Sequence, residues 1–348
     1  MARDWSRLDE DDVRVRPGRG SRPRTRRRPA HEDAAAGFVT SVDRGRYRCL
    51  VDDRVVTAMR ARELGRKSVL VGDRVRLVGD VSGRPDTLAR VVRVEPRTSV
   101  LRRTADDTDP VERVIVANAE QLVIVTALAD PEPRPRMIDR CLVAAYDADL
   151  DPLLCLTKAD LASPDALLAT YEPLGVPYVI TRKGGPGSRK KGSRKKAAEI
   201  ATGELAPLLT GRISVLVGHS GVGKSTLVNA LIPEAERAVR QVNPVTGRGR
   251  HTSSSAVALE LPSGGWIIDT PGVRSFGLAH VKPSTLLAAF PDLEEGAAEC
   301  PRGCTHLQLD CALDAWVAAG HADPARLDSF RRLLAAREGP DSDVARPA

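Results

Sequence analysis

"GHSGVGKSTLVNAL" runs from Gly218 to Leu231, directly after the apolar stretch "RISVLV". Gly218-x4-Gly223-Lys224-Ser225 has the spacing of a phosphate-binding loop set between a strand and a helix. Glycine at both ends lets backbone N–H groups turn inward around a phosphate, and the helix start adds favourable partial charge. His219, Ser220, Gly221 and Val222 form the body of the loop, and Thr226 follows Ser225 into the helix. Lys224 is expected to bridge β- and γ-phosphates, and the Ser225 hydroxyl to ligate Mg²⁺. The stretch predicts an α/β nucleotide-binding domain, but 217 residues precede it, where such a loop usually follows the first strand.

Downstream, "WIIDTPG" carries an acid after an apolar strand, then Gly. Asp269 is expected to hold Mg²⁺ through water, and the Gly272 N–H to sense the γ-phosphate. Between the two motifs, "NPVTGRGRHTSSS" offers Thr252 to complete the Mg²⁺ shell, with Ser253 and Ser254 as alternatives. A polar surface loop without metal contact is the plainer reading of that stretch.

Base recognition lies upstream. "LLCLTKAD" ends a strand with Thr157-Lys158-Ala159-Asp160. Guanine presents N1–H and a 2-amino group side by side, and the Asp160 carboxylate can accept both. Adenine has no such donor pair, so Asp160 argues for GTP over ATP. The Lys158 stem would lie over the ring, and "PYVITRKGG" would bring Thr181 and Arg182 near it. Base recognition before phosphate binding makes the domain circularly permuted. The site is assembled from loops at the carboxyl edge of a parallel sheet, so chain order does not alter their proximity. Val273 follows the switch glycine where many GTPases carry a water-orienting Gln. Intrinsic hydrolysis is expected to be slow unless another group or a partner helps. His251 is the nearest candidate in sequence, and a structural or solvated histidine is an equal reading.

Around this domain the pattern changes. Residues 1–35 are an Arg-rich arm without a core. Over 36–100, five short alternating runs, from "GFVTSV" to "LARVVRVE", predict a small OB-like β-barrel. With only Phe38 and Tyr47 as aromatic residues, base stacking is not expected to be its main mode of contact. Residues 110–278 carry the permuted α/β domain, with strands at "QLVIVTAL", "PLLCLT", "PYVIT", "RISVLVG" and "GWIIDT". "RMIDRCLVAAYDADL" sets Met137, Ile138, Cys141 and Leu142 on one helical face, and 279–340 reads as a short-looped helical domain.

The formal net charge is +7, and two segments carry the excess. Arg16–Arg28 holds seven arginines and Arg182–Lys196 eight basic residues, neither with an acid. Without those 15 charges the chain has 38 basic against 46 acidic residues. Two readings stand for both segments: solvated tails and linkers, or electrostatic contact with a polyanion such as RNA. Of nine lysines five lie in the second segment, so Lys158 and Lys224 stand out in an arginine-using chain. No run approaches 18 apolar residues and no apolar core marks a secretory signal near Met1, so a cytoplasmic protein away from membranes is expected. Nothing requires a dimer, and a monomer is expected.

Of six cysteines, Cys49, Cys141 and Cys155 sit singly in apolar segments and read as core. "CPRGCTHLQLDC" groups Cys300, Cys304, His306 and Cys311 within 12 residues, a ligand set for a structural Zn²⁺. Unmetallated buried thiols are the alternative; a cytosolic disulfide is disfavoured.

Together these features resemble the circularly permuted ribosome small subunit-dependent GTPase A family (RsgA) over about residues 36–338. The resemblance rests on "RVEPRTSVLRRT", "GHSGVGKSTLVNAL", "GRGRHTSSS", "DTPGVRSFGL" and the Cys/Cys/His/Cys cluster. It implies a GTPase of late small-subunit (30S) maturation that binds rRNA, uses GTP and Mg²⁺, and is stimulated by the subunit. The chain departs from the family with Thr157 in place of Asn, tighter spacing in the zinc cluster, the Arg-rich arm and the basic insertion. The competing readings are a nucleotide-gated RNA-binding scaffold with little turnover, which Val273 favours, and a permuted GTPase of the large subunit, against which the barrel and zinc cluster argue.

Overall fold

The computed structural model describes residues 31–43, 45–65, 68–104, 112–182, 202–233, 235, 256–270, 277–278, 280–308 and 311–337. The Arg-rich arm to residue 30, the insertion from 183 to 196, His251, Thr252, Ser253, Ser254, Gly272 and Val273 lie outside them. Every element below belongs to one compact unit, Ala34–Ala348.

Five strands follow from period-two alternation: β1 (Ala35–Asp43), β2 (Arg46–Val51), β3 (Arg54–Arg60), β4 (Arg74–Gly79) and β5 (Ala89–Val94). Tyr47, Cys49 and Val51 point inward while Arg46, Arg48 and Leu50 point out, the pattern of a half-buried strand. Their order is β1-β2-β3-β5-β4, and β4 returns to pair with β1. β3 and β5 run parallel. The closed five-stranded barrel and its order are those of an OB-like fold.

A hairpin follows, β6 (Val100–Thr104) with β7 (Glu112–Ala117). Gly72 packs against its end at a φ of +90°, where an added Cβ would stand 2.0 Å from the Ala117 carbonyl oxygen. Asn118 fastens the same corner: its amide donates to Gly72 O at 2.9 Å and its carbonyl accepts from Thr98 N at 2.9 Å. Arg97 donates to both oxygens of the fully buried Asp73, at 2.7 and 2.9 Å.

The α/β part alternates β8 (Gln121–Ala127), α1 (Pro135–Asp147), β9 (Asp151–Thr157), α2 (Asp165–Tyr171), β10 (Tyr178–Ile180), α3 (Leu205–Leu209), β11 (Ile213–Val217), α4 (Lys224–Leu231), β12 (Val257–Glu260) and β13 (Trp266–Asp269). The spatial order is β10-β9-β8-β11-β13-β12, parallel except for β12. The phosphate-loop strand β11 thus lies beside β8, which precedes it by almost a hundred residues in the chain. Both faces are covered. Leu122 and Ile124 join one core with α1, and Val123 and Val125 join another with α3 and α4. That double burial explains the unbroken apolar runs of the strands.

The C-terminal helices α5 (Pro283–Leu287), α6 (Pro291–Ala297), α7 (Ala312–Ala318) and α8 (Pro324–Arg337) pack on the α1 side. Buried Arg140 of α1 donates to Ala336 O at 2.7 Å, and Arg332 of α8 pairs with Asp139 at 3.2 Å. The barrel and the α/β sheet are continuous, because β12 pairs with β1 at Val257 and Ser41. Phe38 of the barrel meets Trp266 of β13 with ring centroids 4.7 Å apart.

Candidate functional site

β11 delivers the chain into the phosphate loop at Gly218, whose φ is +151°. A Cβ there would lie 2.2 Å from the Val125 carbonyl oxygen, so the tight passage between β8 and β11 requires glycine. His219 turns aside, with Nδ1 3.0 Å from Ser220 O, while Val222 is buried in the core beneath the loop. Gly221 and Gly223 carry φ of +84° and +100°, and Gly223 begins α4. Ser225 and Thr226 are exposed on the first turn. The Lys224 ammonium folds back over the loop and donates to the carbonyls of Gly218 and His219.

Asp269 ends β13 opposite Leu216 of β11, which brings it to the head of the loop. Its Oδ1 is buried and, among the described residues, accepts no hydrogen bond. Burial raises the pKa of this carboxyl, against the pull of Lys224 and the Thr270 N–H. Burial likewise lowers the Lys224 pKa, against Asp269. An unpaired buried carboxylate oxygen costs free energy unless water or a cation completes it. Together with the Ser225 hydroxyl exposed on the first turn of α4, such oxygen donors suit a hard cation such as Mg²⁺.

The upstream element reaches the same edge of the sheet. Thr157, at the end of β9, is buried, and its hydroxyl donates to Val222 O at 2.6 Å. Thr157 stands at the head of the upstream element, and its hydroxyl reaches into the phosphate loop. Lys158 takes a left-handed φ of +60° and donates to the Asp130 carbonyl after β8. Asp160 lies exposed two residues on. The Ala159 N–H donates to Thr181 O at 3.3 Å, which draws the ends of β9 and β10 together, and Arg182 is exposed beyond them. Val125–Ala127, Thr157–Asp160, Gly218–Ser225 and Asp269 therefore converge on one carboxyl edge, the place where open α/β sheets bind ligands.

The second cluster lies between α6 and α7. One ligand atom each from Cys300, Cys304, His306 and Cys311 falls within 4.8 Å of the others. Cys300 Sγ is 3.7 Å from Cys311 Sγ and from His306 Nδ1, and Cys311 Sγ is 3.6 Å from the same nitrogen. Tetrahedral arms of about 2.3 Å give edges of about 3.8 Å, so the set fits a Zn²⁺ ion. Burial pushes the Cys311 thiol up to about 12, so thiolates here require a cation to hold them. Sequence reading missed Arg331, which donates from Nε to His306 O at 2.9 Å and grips Asp314 through both terminal nitrogens at 2.8 and 2.7 Å. No local signal marks it, since it enters from α8.

The model of the RsgA GTPase family matches residues 94–279. The small ribosomal subunit biogenesis GTPase RsgA of Azotobacter vinelandii is 39% identical over 236 residues, covering 65% of this chain and 64% of that protein. Its namesake in Pseudomonas aeruginosa is 39% identical over 256 residues, covering 71% and 70%. The match thus spans a little under two thirds of the first relative's length and a little over two thirds of the second's. Two solved structures share the fold. One is YloQ, a circularly permuted GTPase, at TM-score 0.59 and 24% identity over 89% of this chain and 97% of that one. The other is YjeQ from Thermotoga maritima, at TM-score 0.58 and 23% identity over 87% and 98%. A permuted sheet with the phosphate loop beside β8, and a family match across more than half its length, mean that this chain belongs to the RsgA GTPase family.

Proposed function

We propose that the protein hydrolyses GTP during late maturation of the small (30S) ribosomal subunit, binds that subunit's rRNA, and couples subunit-stimulated hydrolysis to its own release. The observation that carries the reading is the buried Asp269 oxygen that accepts no hydrogen bond among the described residues, with Lys224 of the phosphate loop acting on it, on the edge that also bears Asp160. The names of the relatives point to the same process.

In this reading Lys224 and the N–H groups of Gly218–Ser225 cradle the phosphates, and the Asp160 carboxylate accepts N1–H and the 2-amino group of guanine. The Lys158 stem covers the base and Thr157 holds the loop in shape. Ser225 and Asp269 would hold Mg²⁺, which would supply charge neutralisation to the phosphates when bound. Thr252 would complete the Mg²⁺ shell, the Gly272 N–H would sense the γ-phosphate, and His251 is the candidate for the water-orienting help that Val273 does not give. Cys300, Cys304, His306 and Cys311 hold one structural Zn²⁺ that fixes the loop before α7. The protein acts as a monomer in the cytoplasm; no helix of the described residues is long and apolar enough to cross a membrane.

Steady-state GTP and ATP turnover, each with and without purified small subunits at fixed salt, tests the proposal. Slow GTP turnover strongly accelerated by small subunits, with ATP ignored, is expected. Tight GTP binding without acceleration overturns it.

A further inference from the structure

The chain through the zinc cluster is short: His306 follows Cys304 by two residues, and four residues separate His306 from Cys311. His306 takes a φ of +60°, a left-handed conformation that is uncommon outside glycine and persists where the surroundings hold it. Two hydrogen bonds hold it. The His306 N–H donates to Cys304 Sγ at 3.4 Å, within the cluster. The His306 carbonyl accepts from Arg331 Nε at 2.9 Å, from outside the cluster.

The same guanidinium reaches the other end of the loop. Cys311 stands immediately before α7, and Asp314 lies in the first turn of that helix. Arg331 Nη1 and Nη2 donate to the two Asp314 carboxylate oxygens at 2.8 and 2.7 Å. One side chain of α8 therefore ties the residue that carries the imidazole to the helical turn that follows the last thiol. Its charge also acts on Cys311 itself. The neighbouring residues of α8 fix the direction of approach. Phe330 lies against the His306 ring with centroids 6.0 Å apart, and Arg332 pairs with Asp139 of α1 at 3.2 Å.

The chemistry of the donor set calls for such a group. Three thiolates outweigh the charge of one Zn²⁺, and a guanidinium that stays protonated offsets the excess. Groups that orient metal ligands from outside are typically worth 10–100-fold in metal affinity. The planar fork of Arg331 serves a carbonyl and a carboxylate at once, which the single ammonium of lysine cannot do in the same geometry. We infer that Arg331 is a positioning residue of the zinc site, holding His306 and the turn after Cys311 in the ligating arrangement, so that zinc retention depends on α8 being in place. The inference rests on the reading of the cluster as a zinc site and adds to it a residue from a distant helix.

The test uses full-length protein with Arg331→Lys, Asp314→Asn, the two together and Arg302→Ala. Arg302, exposed between Cys300 and Cys304, controls for positive charge near the cluster. Zinc affinity is measured by competition with a chelating dye, and each protein is also loaded with Co²⁺. Arg331→Lys should bind zinc about 10–100-fold more weakly while keeping the visible bands of tetrahedral Co²⁺, because all four ligands remain. Asp314→Asn should weaken binding too, and the double variant should lose little more than Arg331→Lys alone. Arg302→Ala should match wild type. A merely structural arginine would lower the melting temperature of zinc-free and zinc-loaded protein alike, whereas Arg331→Lys should lower that of the loaded protein more. Unchanged zinc affinity in Arg331→Lys overturns the inference, as does an equal loss in Arg302→Ala or an equal fall in the two melting temperatures. Wild type that binds neither zinc nor Co²⁺ overturns the zinc reading and the inference with it. Wild type that binds both, beside an unaltered Arg331→Lys, overturns the inference alone.

Discussion

The Thr157 hydroxyl donates to the Val222 carbonyl at 2.6 Å, binding together two segments 65 residues apart in the chain. Thr157 ends the strand that leads to Asp160, and Val222 sits inside the phosphate loop. One buried hydrogen bond therefore sets the position of the turn that carries Asp160 against the loop Gly218–Ser225.

Thr157→Val keeps the shape and removes the donor, which leaves a buried carbonyl unpaired at a cost of about 1–3 kcal/mol. The expected result is weaker binding of GTP and GDP by a common factor of roughly 5 to 150, with GTP-over-XTP preference unchanged and Thr157→Ser close to wild type. Fluorescent nucleotide titration reads this, and a shift in base preference would place Thr157 at the base instead.

Asp160→Asn should behave oppositely. An amide cannot accept both guanine donors, but it can donate to the 2-carbonyl of xanthine, so GTP should weaken and XTP strengthen while the phosphate cradle is intact. The ratio of GTP to XTP dissociation constants measures the change. Equal weakening of both nucleotides would remove Asp160 from base recognition.

Asp269 makes a prediction about pH. Burial raises its folded pKa above the unfolded value, so between the two the folded state holds the extra proton. Its contribution in the metal-free protein is thus most favourable below the unfolded pKa and fades as pH rises through the folded one. At neutral pH Asp269→Asn should raise the melting temperature of nucleotide-free protein while abolishing Mg²⁺-dependent GTP turnover. Scanning calorimetry and turnover together check it, and a lower melting temperature would mean that the buried oxygen has a partner.

Much of this was legible in the sequence, and the gaps share one cause. β1–β5 alternate with period two, and "RISVLVGHSGVGKSTLVNAL" carries strand, loop and helix signals within one window. The β6–β7 hairpin was not read, because "LRRT" has no clean alternation and its corner is fixed by the distant Gly72. β12 spans four residues, "VALE", and owes its place to β13 and to β1. The bond from Thr157 to Val222 was not legible, because it is a tertiary relation that spacing does not encode. Arg331 at the zinc cluster was missed for the same reason.

The zinc cluster gives a prediction with a metal readout. Edges of 3.6–3.7 Å suit a tetrahedral ion, so purified protein should carry about one zinc per chain. Cys304→Ser should lose it, and cobalt-loaded wild type should show the intense visible bands of tetrahedral Co²⁺. Chelation should open the segment around Cys300–Cys311 to protease before the α/β core unfolds. Zinc-free protein with an unchanged digestion pattern would make the cysteines ordinary packing residues.

Within "RVEPRTSVLRRT", Arg97 sits on the fully buried Asp73. Asp73 also accepts Leu70 N at 2.7 Å, and Arg97 also donates to Ser68 O at 2.7 Å, so one ion pair closes the loop between β3 and β4 onto the start of the hairpin. Removing Arg97 leaves a carboxylate in the interior without its counter-charge, which costs about 3–5 kcal/mol. Arg97→Ala should therefore lower the urea midpoint strongly. Asp73→Asn with Arg97→Met should recover part of that loss, because the uncompensated charge, more than the missing attraction, sets the cost. Equal midpoints for Arg97→Ala and the double variant would show that packing at Arg97, and not the charge on Asp73, holds the corner.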